Sequence, residues 1–314
     1  MGDPLPNGAD AVVMKEHVII RENVIEILRP VREFSNVSRR GEDFKRGEIV
    51  VPRGKVLDLV DIAAAVSCCY RELEVFDLRA ALICTGGEVR EIDQIAGLEE
   101  LEHGVIPNTT KYIVTWFLSR LGVSVDYVGL VPDDEKEIAD RVRCALERYD
   151  LVVTTGGLAV SSRDVTYRAV MRLGPSYMQR GLAIRPGRPT SIAVIEGKPV
   201  LMLSGFPLAA LTGLYYVAPR IIEFLTGCSL IYDKFVVYGR LSSRVTKPPH
   251  LRALVRARAL LGDHVLEVEP LTATGSSLIS TLIRGNAVID VPEGLEGHDE
   301  GEVVMSELLR GTTL

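Results

Sequence analysis

The residues from about Asp77 to Thr226 alternate between short apolar runs and amphipathic segments, and this alternation strongly constrains the fold. Typical buried strands are "LRAALIC", "SVDYVGLV", "DLVVTT" and "KPVLML". Typical helices are "TKYIVTWFLSRLG", "DDEKEIADRVRCALERY", "RDVTYRAVMRLG" and "LAALTGLYYV". Strands that alternate with helices predict a three-layer α/β domain, in which a mostly parallel sheet carries helices on both faces.

Three of these strands are followed by loops of small and polar residues: Thr85-Gly86-Gly87-Glu88, Thr154-Thr155-Gly156-Gly157 and Ser204-Gly205-Phe206-Pro207. Ligands of open parallel sheets bind beyond the carboxyl ends of the strands, so we expect the loops to share one rim. Paired glycines let backbone N–H groups approach a phosphate, and the next helix N-terminus favours an anion. A single such loop is more often a plain turn, but three at one edge favour a phosphate site.

Acidic residues are predicted on the same rim, namely Glu88, Asp133, Asp134 and Asp164. Asp133 and Asp134 precede "EKEIADRV" and also suit helix N-caps, and Asp164 suits an early helical turn. Carboxylates close to a phosphate loop would repel the ligand unless a cation lies between them. Magnesium is held in this way by one or two carboxylates together with phosphate oxygens. The acids and glycines together predict a Mg²⁺-bridged phosphate or pyrophosphate.

Basic and hydroxyl residues elsewhere could extend such a site. Arg185 and Arg188 flank a Pro-Gly turn and suit an oxyanion, although a solvated turn explains them equally well. Gly275, Ser276 and Ser277 precede a predicted helix and form either an anion loop or a capping turn. Arg256 lies in a predicted strand and either faces this loop or is exposed.

Short β-branched runs precede and follow the α/β region. We predict a partial N-terminal β domain at 1–55, a helical linker at 56–76, the α/β domain at 77–226 and a small β-barrel or sandwich at 227–314. The chain opens on a turn-like "GDPLPNG", from which we expect that the N-terminal domain is incomplete.

Composition excludes several classes of protein. The net charge of -6 argues against a general nucleic-acid binder. The five cysteines are odd in number and form no C-x-x-C pair, which favours a reducing cytoplasm over a disulfide framework or zinc site. The uncharged stretch 200–219 has nearly the length of a membrane span, but its glycines and prolines favour a strand, a turn and a core helix. A content of two Gln and five Asn is typical of a thermophile.

Several motifs together resemble the molybdopterin molybdenumtransferase family, known as MoeA in bacteria and archaea and as the E domain of gephyrin in animals. They are "GDPLPNGADAVVM", "SRRGEDFKRGEIVVPRG", "ICTGGEV", "GVIPNTTKYIVTWFLSRLG", "GLVPDDEKEI", "LVVTTGGLAVSSRD", "IRPGRP" and "GSSLISTLIRGN", in the order that the family shows. The resemblance covers essentially the whole chain. It implies a β domain, a molybdopterin-binding-like α/β domain and a C-terminal β-barrel, assembled as a homodimer.

The resemblance also implies a reaction, the Mg²⁺-dependent insertion of molybdate or tungstate into adenylylated molybdopterin with release of AMP. By motif, Glu88, Asp133 and Asp164 match catalytic and metal-binding acids. The ligand-binding positions implied by the loops and motifs are Gly86, Gly87, Thr155, Gly156, Gly157, Arg185, Arg188, Gly205, Pro207, Arg256, Ser276 and Ser277. Other proteins of molybdenum cofactor biosynthesis are implied as partners.

The chain departs from the family pattern on the ligand rim. The family's SAMDGYA motif is absent, a loop Ser is replaced by Ala159, a loop Gly by Ser161 and a Lys by Gly181. Two alternatives therefore stay open. One is a non-catalytic relative that keeps the fold and binds molybdopterin or a partner. The other is a MogA-like molybdopterin adenylyltransferase, which the flanking β regions disfavour.

Overall fold

The computed structural model describes residues 2–158, 164–262, 265–271 and 275–311. The substituted positions Ala159 and Ser161 therefore lie outside the described residues. The chain divides into two compact units, one formed by Met1–Pro52 with Leu57–Leu73 and the other by Arg53–Val56 with Glu74–Leu314. The four predicted domain boundaries remain a prediction.

The first unit contains little regular structure. Its elements are β1 (Val18–Arg21), β2 (Val24–Ile27) and α1 (Leu59–Ser67). The two strands form an antiparallel hairpin, and α1 begins with a capping box between Asp58 and Asp61. Ile20, Ile25 and Leu59 are exposed, so this unit buries few of its aliphatic side chains.

The second unit begins with the predicted α/β region. Its elements are, in chain order, β3 (Arg79–Thr85), β4 (Val89–Arg90), α2 (Glu99–Glu102), β5 (Ile106–Pro107), α3 (Thr110–Arg120), β6 (Ser124–Val131), α4 (Glu135–Leu146), β7 (Leu151–Thr155), α5 (Val165–Met171), β8 (Tyr177–Gln179), β9 (Ile184–Arg185), β10 (Ser191–Ile195), β11 (Lys198–Leu203) and α6 (Pro207–Thr226).

A six-stranded sheet organises this region in the order β6-β3-β7-β11-β10-β8. The four strands from β6 to β11 are parallel, as the alternation predicts. Strand β10 runs antiparallel to its hairpin partner β11, and the edge strand β8 runs antiparallel to β10. The chain passes from β3 outward to β6 and then returns to β7 on the other side of β3. The carboxyl ends of β3 and β7 therefore form the switch point at which ligands bind in open α/β sheets.

Both faces of the sheet are covered by apolar side chains. One core cluster contains Leu82, Phe117 and Leu211, which come from β3, α3 and α6. The cluster on the opposite face contains Ile83 from β3 and Ile138 from α4. Helix α6 is long and apolar enough to cross a membrane, but 61% of its apolar window is buried inside the protein, as in a core helix.

The rest of the second unit is a closed barrel. Its elements are β12 (Phe235–Leu241), β13 (Val245–Thr246), β14 (Arg252–Leu261), β15 (Leu266–Pro270), α7 (Ser280–Arg284), β16 (Ala287–Val291), β17 (Gly297–His298) and β18 (Val303–Leu308). Five strands pair in the circuit β14-β15-β12-β18-β16 and back to β14. This closure decides between the predicted barrel and sandwich. Strand β9 pairs in parallel with β14 and so joins the α/β region to the barrel.

Candidate functional site

One cleft of about 410 Å³ lies at the carboxyl edge of the parallel strands. It receives the loops after β3, β7 and β11, so the three predicted loops do share one rim. Its lining consists of Cys84, Thr85, Glu88, Val89, Ile106, Pro107, Asn108, Thr109, Thr110, Asp133, Thr155, Gly156, Gly157, Leu158, Ser204, Gly205, Phe206, Pro207 and Ser277.

Asp133 ties the first loop to the sheet. Its Oδ1 accepts a hydrogen bond of 2.6 Å from the Thr85 hydroxyl, and its Oδ2 accepts one of 3.1 Å from the Gly87 N–H. The neighbouring Asp134 has a different role, because its side chain caps α4 by accepting from the Glu137 N–H at 2.8 Å. The N-cap interpretation thus applies to Asp134, while the carboxylate of Asp133 lies in the cleft.

The second loop needs glycine because the backbone is crowded. A Cβ on Gly156 would lie 2.1 Å from the Thr85 carbonyl oxygen, and one on Gly157 would lie 2.3 Å from Oγ1 of Thr166. Both glycines also have positive φ, of +93° and +62°. The Gly156 N–H donates to the Leu203 carbonyl at 3.1 Å, so it is already hydrogen-bonded within the protein. Close packing therefore explains Gly156 without a ligand.

The third loop leads into helix α6, whose first residue is Pro207. The Thr110 hydroxyl donates to the Gly205 carbonyl at 2.5 Å and joins this loop to the start of α3. The Leu208 N–H donates to the Ser276 carbonyl at 3.0 Å, which holds the barrel loop against the helix start. The positive end of the α6 dipole thus lies at the cleft, where it favours a negative charge.

A polar network forms one wall of the cleft. Asn108 donates from its amide nitrogen to Oε1 of Glu91 at 2.9 Å and to the Tyr127 hydroxyl at 3.1 Å. Glu91 also accepts hydrogen bonds from Lys111 and Tyr127. Burial opposes the charge of Glu91, but the hydrogen bonds from Lys111, Tyr127 and Asn108 hold its pKa below the ordinary value. The neighbouring thiol of Cys84 is buried, and burial raises its pKa.

Asp164 does not line this cleft. It is almost fully buried at the start of α5, and its Oδ2 accepts a hydrogen bond of 2.7 Å from Arg180 in an ion pair. Arg180 also lies over the ring of Tyr167, with its guanidinium carbon 4.6 Å from the ring centroid. The other carboxylate oxygen of Asp164, Oδ1, is buried and has no hydrogen-bond partner among the described residues.

The three predicted arginines do not line the cleft either. Arg185 ends β9 and Arg188 follows it by three residues, and both are exposed. Gly187 between them packs closely against the Ala209 carbonyl of α6. Arg256 lines a separate apolar cavity of about 350 Å³ together with Trp116 of α3. Burial lowers the pKa of the Arg256 guanidinium. Gly86 and Gly87 lie in the turn between the lining residues Thr85 and Glu88.

The cleft carboxylates fit the predicted Mg²⁺ only in part. No three His, Cys, Asp or Glu side chains of the described residues form a group that could hold a metal by themselves. Glu88 and Asp133 nevertheless line the same cleft, and Mg²⁺ is commonly bound by one or two carboxylates together with substrate phosphates. The donor set fits a cation that arrives with a phosphorylated ligand, and it does not fit a cation held by protein ligands alone.

Of the predicted site residues, Glu88, Asp133, Thr155, Gly156, Gly157, Gly205, Pro207 and Ser277 line the cleft. The sequence reasoning missed Asn108, Thr109 and Thr110 between β5 and α3. The signal was present in "PNTT", which places polar residues directly before an amphipathic helix. No sequence pattern indicates that Glu91, Lys111 and Tyr127 form a network, because these residues come from three separate segments.

Comparison with known proteins places this geometry in a family. Three family models match the chain: "MoeA N-terminal region (domain I and II)" at residues 1–69, "Probable molybdopterin binding domain" at 81–223 and "MoeA C-terminal region (domain IV)" at 238–309. A "Putative molybdopterin biosynthesis protein" of Methanocaldococcus jannaschii is 33% identical over 312 residues, which are 98% of this chain and 75% of that protein. The chain belongs to the molybdopterin molybdenumtransferase (MoeA) family.

Other MoeA proteins agree with this assignment. A molybdopterin molybdenumtransferase of Staphylococcus aureus (strain COL) is 29% identical over 304 residues, which are 96% of this chain and 71% of that enzyme. A crystal structure of the molybdopterin biosynthesis MoeA protein of Pyrococcus horikoshii has a TM-score of 0.77 at 24% identity and covers 98% of this chain and 73% of its own. Another MoeA structure from the same organism has a TM-score of 0.73 at 27% identity, and the match covers 98% of this chain and 74% of that one. The MoeA fold predicted from the motifs is thereby confirmed.

Proposed function

We propose that this MoeA family member inserts molybdate or tungstate into adenylylated molybdopterin and releases AMP. The observation that carries the proposal is the cleft itself. Three strand-end loops, the N-terminus of α6 and the carboxylates of Glu88 and Asp133 meet in about 410 Å³ at the switch point of the sheet. Such a site suits a phosphorylated ligand with a bridging cation, and adenylylated molybdopterin contains the pyrophosphate that the reaction must cleave.

In this proposal the protein binds and orients the ligand. The N-terminus of α6 at Pro207 stabilises the negative charge of the phosphates. Asp133 keeps one orientation because Thr85 and Gly87 donate to its two oxygens. A water oxygen bonds to phosphorus as the bridging phosphorus–oxygen bond of the pyrophosphate breaks, so AMP leaves and molybdopterin keeps its own phosphate. The two thiolates of molybdopterin replace two oxo groups of molybdate or tungstate, which take up protons and leave as water.

Glu88 and Asp133 are the residues that would hold a magnesium ion. Such an ion would neutralise the phosphate charge and polarise the phosphorus–oxygen bond that is cleaved. Asp164 would contribute only through a rearrangement of its ion pair with Arg180, since it does not line the cleft.

The experiment is an insertion assay with purified protein, adenylylated molybdopterin and molybdate, in which AMP release is measured with and without Mg²⁺. We expect Mg²⁺-dependent AMP release that requires molybdate. A folded protein that binds molybdopterin without releasing AMP would contradict the proposal and favour the non-catalytic relative. ATP-dependent adenylylation of molybdopterin would instead favour the MogA-like adenylyltransferase.

The homodimer and the cytoplasmic location form part of the same proposal. Ile20 and Ile25 pair across the hairpin of the first unit and are both exposed, and they support the dimer because contiguous apolar surface is typical of interfaces. The mass of the protein in solution, measured by light scattering, tests it. A monomer at micromolar concentration would contradict it.

A further inference from the structure

Asn108 is a nearly buried amide in the wall of the cleft. Only 7% of the surface of Asn108 is exposed, and the residue lines the cleft together with Val89, Ile106 and Pro107. Its backbone N–H donates to the Arg90 carbonyl at 2.9 Å, so the main chain is fixed at this point. A buried amide side chain is stable only when its polar atoms find partners in the protein or in a ligand.

The network determines which way the amide of Asn108 faces. An ionised carboxylate only accepts hydrogen bonds, and the lowered pKa of Glu91 keeps it ionised at neutral pH. The atom of Asn108 that contacts Oε1 of Glu91 at 2.9 Å must therefore be the amide nitrogen. The same nitrogen donates to the Tyr127 hydroxyl at 3.1 Å, so both of its hydrogens are used.

The carbonyl oxygen Oδ1 of Asn108 is left as an acceptor. The hydrogen bonds to Glu91 and Tyr127 both use the amide nitrogen, and the side chain also contacts the buried thiol of Cys84. Asn108 lines the cleft and keeps 7% of its surface exposed, so a ligand in the cleft can reach this side chain. A phosphate would be repelled here, because its oxygens are acceptors too. The apolar neighbours Val89, Ile106 and Pro107 favour a flat ring instead.

We propose that Oδ1 of Asn108 accepts a hydrogen bond from an N–H group on a heteroaromatic ring of the ligand. Glu91, Tyr127 and Lys111 act as positioning residues, because they fix the amide in the acceptor orientation. The inference rests on the proposed function, in which two ring systems carry such groups, the adenine of AMP and the pterin. Both present N–H donors to an acceptor of this kind.

The test measures binding by calorimetry for AMP, for purine riboside monophosphate, which lacks the exocyclic amino group, and for molybdopterin. The variant is Asn108→Leu, which removes the oxygen at similar volume. If adenine is the ring, AMP binding weakens by about tenfold while the analogue changes little. If pterin is the ring, AMP binding is unchanged and molybdopterin binding weakens by about tenfold. Asn23→Leu, the same change at an exposed hairpin turn, is the control and leaves all three affinities unchanged.

Unchanged binding of both AMP and molybdopterin to Asn108→Leu overturns the inference, and so does equal weakening of all three ligands. Tyr127→Phe keeps the ring and removes one amide partner, and we expect a loss of about threefold for the same ligand. If Asn108→Leu does not fold, the absence of any ligand-specific loss in Tyr127→Phe overturns the inference. Unmutated protein that binds these ligands without insertion contradicts only the proposed function, and protein that binds neither ligand contradicts both.

Discussion

Tyr216 of helix α6 donates a hydrogen bond of 2.7 Å from its hydroxyl to Oδ1 of Asp290 in barrel strand β16. The preceding Tyr215 donates to Oε2 of Glu307 in β18 at 2.8 Å. Asp290 also accepts two hydrogen bonds from Arg252 of β14, at 2.9 and 2.5 Å. Because α6 begins at the cleft, these contacts fix the barrel, with its lining residue Ser277, relative to the glycine loops.

Tyr216→Phe should destabilise the protein by about 1 kcal/mol, since Asp290 loses one of its donors while Arg252 remains. We expect the midpoint of thermal unfolding to fall by roughly 2 °C. Tyr238→Phe is the control, because Tyr238 is exposed on β12. Equal midpoints for the two variants would show that the Tyr216–Asp290 contact does not stabilise the fold.

Gly156→Ala should destabilise the protein by several kcal/mol. The new Cβ would lie 2.1 Å from the Thr85 carbonyl oxygen, which is a severe clash. Alanine is also strained at the φ of +93° that this position has. Gly197→Ala is a matched control, because Gly197 has a φ of +79° and no atom within 4 Å of the added Cβ. We expect Gly197→Ala to cost about 1 kcal/mol. Urea unfolding measures both, and similar costs would contradict the close packing of the two loops.

Asp133→Asn should lower the rate of AMP release by about a hundredfold or more, because the cleft loses a negative charge and the amide nitrogen cannot accept from Gly87 or Thr85. Asp134→Asn is the matched control. Asparagine is an equally good N-cap, so both the rate and the stability should be retained. A similar loss of rate in both variants would place the effect on α4 and not on the cleft.

Asp164→Ala should abolish metal-dependent insertion if the carboxylate itself is required, as the motif implies. Arg180→Met removes the ion pair and keeps the carboxylate, so we expect it to retain activity within about tenfold. Steady-state AMP release measures both variants. An equal loss in Arg180→Met would mean that Asp164 acts only through its ion pair.

The stabilising effect of Glu91 should depend on pH. Its pKa lies below the ordinary value of 4.5 in the folded protein, so its contribution is present above that pH and is lost as the pH falls through the folded pKa. The pKa of Lys111 is raised above 10.5, because its contacts with Glu91 outweigh burial, so its contribution is lost only at higher pH. We expect Glu91→Gln to destabilise the protein between about pH 5 and pH 10, and less in acid. A difference in unfolding free energy that stays constant into acid would contradict this.

The sequence predicted most of the α/β region, because a buried strand and an amphipathic helix each leave a local pattern. "DLVVTTGG" indicates both a strand and the tight loop after it, and the loop does lie on the cleft with Gly156 and Gly157. The antiparallel strand β10 was not predicted, since "SIAVI" and "KPVLML" are similar apolar runs and only the turn between them reverses the direction.

The roles of the acids could not be separated by sequence. Asp133 and Asp134 are neighbours with the same side chain, yet one accepts from Thr85 and Gly87 and the other caps α4. No sequence motif includes Arg180, so its ion pair with Asp164, sixteen residues earlier, could not be predicted. Which partner a charged side chain meets depends on distances that arise only when the strands are placed side by side.

By itself the sequence determined the order of strands and helices, the family and the loops that meet on one rim, because hydrophobic periodicity and turn residues act over a few neighbouring positions. Tertiary structure alone decided that the C-terminal strands close into a barrel, that Asp164 pairs with Arg180, and that Asn108 joins the cleft wall with Glu91 and Tyr127. These features depend on contacts between residues far apart in the chain, which the packing of the sheet and helices brings together.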